Sequence, residues 1–244
     1  MDFIILAERW MSLWKETLEL QHNQEQLLLN IGCTDSLNIA VFVPLYDKIL
    51  IDYPHLDLSI QSHHSSELYG MLSEHNIDIG FVYHQLHYKK HYFRKIYLKK
   101  NLYLLQSEHP VVEKPIVHTD ELDSTKELFL SWDDNFQIWH DRWLSSVSRP
   151  HISADTITLL DRLWKNADTW MIAPESVIHE LSRYRKVYVS ELKNPAPNRI
   201  CYKIKHKYPK TTSKRAVELF EEILEQFLHL ERKEIPIGEI WGGR

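Results

Sequence analysis

A chain of 244 residues is long enough for one large core or two modest ones, and 43% apolar with 26% charged residues is the balance of a globular protein rather than a disordered or membrane chain. The formal net charge of -5 argues against a surface built to wrap nucleic acid, which draws on clustered Lys and Arg. No apolar run approaches the length of a membrane span, and the opening MDFIILAERWMSLWKE turns acidic and polar where a secretory apolar segment would continue, so the reading is cytoplasmic.

At the N-terminus, Leu6, Trp10, Leu13, Thr17 and Leu20 are spaced four, three, four, three, which puts them on one stripe of a helix over 1–25. The stripe fits a surface helix docked on its own domain or a dimerising linker helix, and periodicity alone does not choose. LLLNIGC then reads as a buried strand, SLNIAVFVPLYDKILIDYP as an amphipathic helix capped by Ser36, HLDLSIQS as a strand, SSELYGMLSEH as a helix starting at Ser65 or Ser66, and IDIGFVYH as a strand. FRKIYLKKNLYLLQ is one long strand or a hairpin turning at Lys100 and Asn101. The polar, proline-bearing segment EHPVVEKPIVHTDELDSTKE marks a crossover, after which strand and helix alternate again: KELFLSW, a Trp-rich helix from Asn135 to Ser146, PHISAD, TITLLDRLWKN, DTWMIAP, ESVIHELSRYR and KVYVSEL. ICYKIKHK is a last strand and Ser213 caps a long helix running to about Leu230, with a loose tail over 231–244. Two runs of alternating strand and helix predict an α/β protein with two parallel sheets.

The order and wording of these segments resemble the effector-binding domain of LysR-type transcriptional regulators over nearly the whole chain. LNIGCTDSLNIAVFVP is similar to the family's first strand and a helix that runs into a proline, here Pro44; IDYPHLDLSIQSHHSSELYGMLSEHNIDIGFVYH carries the most specific likeness; LYLLQSEHP and PHISADTITLLDRLWKNADTWMIAPESV follow the pattern further on. The chain departs from it where the first helix is one residue longer between Gly32 and Pro44, and where Asn166, Ala167 and Asp168 replace a glycine-rich turn. The resemblance implies two Rossmann-like lobes as in type 2 periplasmic binding proteins, joined by two crossover strands: lobe I over 26–106 and 201–230, lobe II over 107–200. It also implies a small-molecule effector, a homodimer or homotetramer, contact with DNA only through a winged helix-turn-helix domain that these residues do not contain, and RNA polymerase as a further partner. Gly32 and Gly80 fall at strand ends, where the backbone turns or approaches closely.

In open parallel sheets a ligand sits beyond the carboxyl ends of the strands, where helix N-termini present unpaired N–H groups. That selects Thr34, Asp35 and Ser36 after the first strand, and His64 and Ser65 after the second, with simple helix capping as the plainer role of Ser36. Ser65 matches a family position that supplies a ligand-binding hydroxyl. In the second half it selects Trp132, Asn135 and Phe136, whose aromatic rings suit either a pocket or a core, together with Asp155 and Thr156, which suit a ligand or a cap. Cys201 and Tyr202 would start a hinge strand. A cleft of hydroxyls and N–H groups with little positive charge admits a small carboxylate, an amino acid or a neutral aromatic.

The fifteen histidines, including His63, His64, His84, His87 and His91, read as scattered surface residues rather than metal ligands, and no cofactor is expected. Cys33 and Cys201 have no metal-type spacing and suit a reducing compartment. The basic run of Lys89, Lys90, His91, Arg94, Lys95, Lys99 and Lys100 reads as a solvated or oligomer-contact face. No nucleophile elbow, P-loop or zinc-protease motif points to catalysis. An effector-sensing regulator domain is therefore the leading expectation; a transporter's solute-binding protein and an enzyme on the same fold are the alternatives, the first disfavoured by the N-terminal stripe and the missing secretory segment.

Overall fold

The computed structural model of the chain describes residues 26–86, 91–99, 102–144, 149–166 and 168–231, together with Trp10. The expected linker helix, apart from Trp10, lies outside the described residues, as do His87, Lys89, Lys90, Lys100, Asn101, Ala167 and the tail from 232 on.

The first sheet has the order β2 (Leu56–Ser62), β1 (Leu27–Cys33), β3 (Ile79–Val82), β11 (Arg199–His206), β4 (His91–Lys99). β1 is the apolar run LLLNIGC, and it pairs in parallel with β2 on one side and β3 on the other, as suits a strand shielded on both faces. One face carries α1 (Val43–Asp52) and α6 (Thr211–Glu231), which close a core of Leu29, Ile31, Leu45, Ile49, Phe81 and Phe220. The opposite face carries α2 (Ser65–Ser73) over Leu68, Leu72, Ile77 and Ile204. Gly32 and Gly80 face one another in register inside β1 and β3 rather than at turns. They are glycines because of close approach: a methyl group on Gly32 would lie 2.5 Å from Leu68 Cδ2 and 2.6 Å from Ile77 Cδ1.

The second sheet has the order β6 (Ile116–Val117), β10 (Val187–Leu192), β5 (Leu102–Ser107), β9 (Trp170–Pro174). A parallel bridge from Glu127 to Trp170 attaches the pair β7 (Leu128–Leu130) and β8 (Ile152–Ala154) to it. Helices α3 (Asp134–Trp143), α4 (Ile157–Leu163) and α5 (Glu175–Ser182) contribute Phe136, Leu160, Ile178 and Leu181 to a core with Leu104, Leu105, Trp170 and Ile172. Both sheets are mixed rather than parallel throughout. β11 runs antiparallel to β3 and β4, and β5 runs antiparallel to β9 and β10. Each reversed strand is the one by which the chain has just crossed from the other half.

Several local expectations change. FRKIYLKKNLYLLQ is neither one strand nor a hairpin: β4 pairs with β11 and β5 with β9 and β10, so the crossing falls between them, ahead of EHPVVEKPIVHTDELDSTKE. β5 does not belong to the first half, expected over 26–106: its residues Leu102 to Leu105 are all buried in the second. The polar segment instead lies on the second half as β6 and two 3-10 turns, Thr119–Glu121 and Ser124–Lys126. The second crossing leads from β10 into β11, which starts at Arg199, two residues before the expected hinge at Cys201. Ser36 is not a cap; Thr34 occupies the N-cap position of a single turn, Asp35–Leu37, followed by a π-helix, Asn38–Phe42, and only then α1. α2 does start at Ser65, with His64 as its N-cap, whose backbone N–H donates to Glu67 Oε2 at 3.0 Å, one arm of a capping box. α3 starts one residue before Asn135, and Ser213 is a buried residue inside α6, which starts at Thr211.

Candidate functional site

The carboxyl ends of β1, β2 and β3 face those of β7 and β8 across a cleft that encloses a cavity of about 620 Å³. Of the residues singled out from the sequence, Thr34, Asp35, Ser36, His64, Ser65, Trp132, Asp155 and Thr156 line it. Asn135 is exposed and is not on its wall, and Phe136 is buried in the second core, stacked on Phe129 and Trp139. Large aromatics suit cores and pockets equally in a sequence, and α3 turns the Phe136 ring inward.

From the first half, Thr34 follows β1 and the Asn38 side chain ties the following turn to β2, donating from Nδ2 to Ser62 Oγ at 2.7 Å while accepting from Tyr46 Oη at 2.8 Å. Ser65 Oγ accepts the Tyr83 backbone N–H at 3.1 Å, which fixes the loop after β3 against the start of α2. From the second half, Trp132 is buried and its Nε1–H donates to Ile172 O at 2.6 Å, so the indole is held as part of the wall. Asp133 caps α3 by accepting the Phe136 N–H at 2.9 Å, and Thr156 caps α4 by accepting from Leu159 N at 3.4 Å.

Asp35, His84 and Arg199 reach across the cleft. Asp35 accepts the backbone N–H of Ile157 at 3.1 Å and the Thr158 hydroxyl at 3.2 Å, placing a carboxylate from the first half on the N-terminus of α4. His84 Nδ1 lies 3.5 Å from Asp134 Oδ2. Beside this latch, Ile39 and Ala40 of the π-helix pack on the second core and meet Ile157, Val177, Leu181 and Tyr184. Departures from α-helical winding often fall at functional sites, and here the departure carries the seam between the halves.

Arg199 also stands at the cavity and, like Tyr83, His84 and Leu130, was not found by reading strand ends. β11 is antiparallel to β3, so its first residue lies at the same edge as the carboxyl ends of β1 to β3. The expectation of little positive charge is thereby corrected. The guanidinium is buried at 5% exposure; Nη2 donates to Trp132 O at 3.0 Å, and Cζ lies 3.5 Å from the Tyr83 ring centroid and 5.0 Å from that of Trp132. Burial is the main force raising the Tyr83 phenol above its ordinary range, against the lowering influence of Arg199. A proline-rich approach, NPAPN, followed by an arginine at the head of a strand was the available signal.

His63, His64 and His84 line the cavity. His63 pairs with Glu67 at 3.5 Å and His84 with Asp134, and no group of three or more potential metal ligands occurs among the described residues. Cys33 and Cys201 are fully buried thiols; burial raises both, Cys201 up to about 12, which keeps them from acting as thiolates. Arg94 of the basic run is ion-paired with Glu225 on α6. Among the described residues no helix is long and apolar enough to cross a membrane.

Two mixed sheets joined by two crossings, with a cavity at their facing strand ends, define a type 2 periplasmic-binding-protein-like fold. The family model for the LysR substrate binding domain matches residues 22–228, and the chain belongs to that family: it is an effector-sensing domain of the LysR-type regulators. Solved structures agree on the fold. The regulatory domain of MexT, a transcriptional activator in Pseudomonas aeruginosa, matches with a TM-score of 0.68 at 11% identity, covering 82% of this chain and 99% of that one. Full-length OxyR from Pseudomonas aeruginosa matches with a TM-score of 0.67 at 15% identity, covering 96% and 79%. The OxyR2 regulatory domain from Vibrio vulnificus matches with a TM-score of 0.63 at 16% identity, covering 84% and 97%. No curated protein sequence matches the chain.

Proposed function

We propose that the chain binds a small organic effector in the cleft, and that binding shifts the balance between arrangements of its two lobes. Lobe I comprises β1 to β4, β11, α1, α2 and α6; lobe II comprises β5 to β10 and α3 to α5. The observation that carries the reading is a cavity of about 620 Å³ lined from both lobes. Small-molecule sites commonly enclose about 300–1,000 Å³ and combine apolar walls with a few directed polar groups. Thr34, Asp35, Ser36, His64 and Ser65 supply polar groups from lobe I, and Trp132, Asp155 and Thr156 face them from lobe II.

A ligand touching both walls favours the arrangement in which they are close, and its leverage is limited to the difference in its affinity for the two states. In a full-length regulator that shift repositions DNA-binding domains within a cytoplasmic homodimer or homotetramer, with RNA polymerase as a further contact. The domain senses and does not catalyse.

A metabolite panel read by thermal shift tests the site, because a ligand of the native state raises apparent stability by mass action. For a compound that binds, Ser65→Ala is expected to weaken affinity about tenfold through loss of one hydrogen bond. Trp132→Phe is the companion variant, since truncating this buried, hydrogen-bonded indole to alanine would damage the fold as well. Unchanged affinity in both variants, with a ligand in hand, removes the cleft as the site.

A further inference from the structure

Arg199 lines the cavity and is buried, yet its hydrogen bonding is incomplete. Its Nη2 is bonded to Trp132 O, and its guanidinium lies against Tyr83 and Trp132, yet Nη1 and Nε have no hydrogen-bond partner although the side chain is 5% exposed. Asp133 is ion-paired with it, Oδ2 standing 3.5 Å from Nε without forming a hydrogen bond, while its Oδ1 caps α3. Thr34 Oγ1, also buried and on the cavity wall, has no partner either. A buried guanidinium with unfilled donors is costly unless something completes its shell.

We propose that the effector is an organic monoanion whose carboxylate is taken by Arg199, with the Thr34 hydroxyl as a second donor to the same ligand. The inference rests on the cleft being the ligand site. Pinned between two rings and a carbonyl, the guanidinium is oriented before the ligand arrives, and its unpartnered Nη1 is a charge-assisted donor suited to a carboxylate oxygen. The acidic residues around the cavity do not make it a cation site. Asp35 is engaged with backbone N–H groups of α4, Asp133 with that of α3, Glu67 with that of His64, and Asp134 lies beside His84. They set an upper limit on ligand charge, since Asp133 and the exposed Asp155 repel a second or third negative group. Tyr83, Leu130 and Trp132 supply apolar wall for the body of the molecule, which inorganic phosphate lacks.

The test is calorimetric titration with a panel of aliphatic and aromatic monocarboxylates, each paired with its primary amide, and with inorganic phosphate. Acids are expected to bind where their amides do not. For the tightest acid, Arg199→Gln is expected to weaken binding on the order of 100-fold, as when one partner of a buried charge pair is removed. Arg199→Lys, which keeps the charge without the fork, should fall between, and Thr34→Val should weaken the same acid. If Arg199→Gln fails to fold, the lysine and valine variants carry the comparison. Amides binding as well as acids, or variants binding the acid as tightly as the unaltered chain, overturn the proposal while leaving the cleft reading in place. Phosphate binding as tightly as the best acid also overturns it, in favour of a simple anion site. Failure of every acid and amide to bind counts against both readings.

Discussion

Glu221 on α6 receives two lysines of β11, Lys203 and Lys205, the latter at 2.8 Å, and Lys203 is itself buried. Burial alone would raise this carboxyl, but the hydrogen bonds and charges of the two lysines outweigh it and hold the group below its ordinary value of 4.5. A folded-state pKa lowered in this way contributes stability above the unfolded value, and the contribution is lost as pH falls through the folded one. Glu221→Gln is therefore expected to cost roughly 1–3 kcal/mol at neutral pH, because it leaves Lys203 buried without its partner. Denaturant titrations of both proteins at descending pH check the sign: the gap should close in acid, and a constant gap would show that packing, not charge, is at work. The same scale separates readable residues from hidden ones. Thr34, Asp35, Ser65 and Thr156 could be placed near the cleft because strand-end loops announce themselves by residue type. Arg199 could not, since its position depends on the reversed direction of β11, a property of pairing with β3 and β4.

Among the elements, the stretch from Asp35 to Asp52 shows how local preference and tertiary demand divide the work. An amphipathic helix was legible, but its opening is a single α turn and a π-helix, and these parts deliver Asp35 and Ile39 to the other lobe. Asp35 substitutes for a cap that α4 takes only partly from Thr156. Replacing it, Asp35→Ala, is expected to cost about 1 kcal/mol of stability, the usual value of a lost N-terminal anion. Small-angle scattering should also show a more extended unliganded chain, because a contact between the lobes has been removed. Unchanged dimensions would mean that the apolar seam at Ile39 and Ala40, with the His84–Asp134 and Arg199–Trp132 contacts, holds the lobes without it. The crossing between β4 and β5 was misplaced for a related reason. Alternation of strand and helix reports what each segment is, but not which sheet it joins.

Among the described residues, lobe I is closed by cores around Phe81 and Phe220 on one face and Leu68 and Ile204 on the other, and lobe II by one around Trp170 and Ile172, with the latch and the seam between the lobes. Cooperativity between such units is set by the contacts that join them, and two-state unfolding is not assured. Scanning calorimetry of the unliganded domain should give a transition broader than one two-state step, sharpening when a ligand bridges the cleft. A single sharp transition without ligand would show that the interface couples the lobes fully. From its sequence alone this protein declared an α/β chain with two runs of alternating strand and helix, loops rich in capping residues, and two thiols without metal spacing, because periodicity and capping are local properties of the backbone. Which sheet β5 enters, where Arg199 points and whether Phe136 faces core or cleft were decided only by tertiary structure. Strand direction and side-chain burial follow from partners far away along the chain, and no window of neighbouring residues contains them.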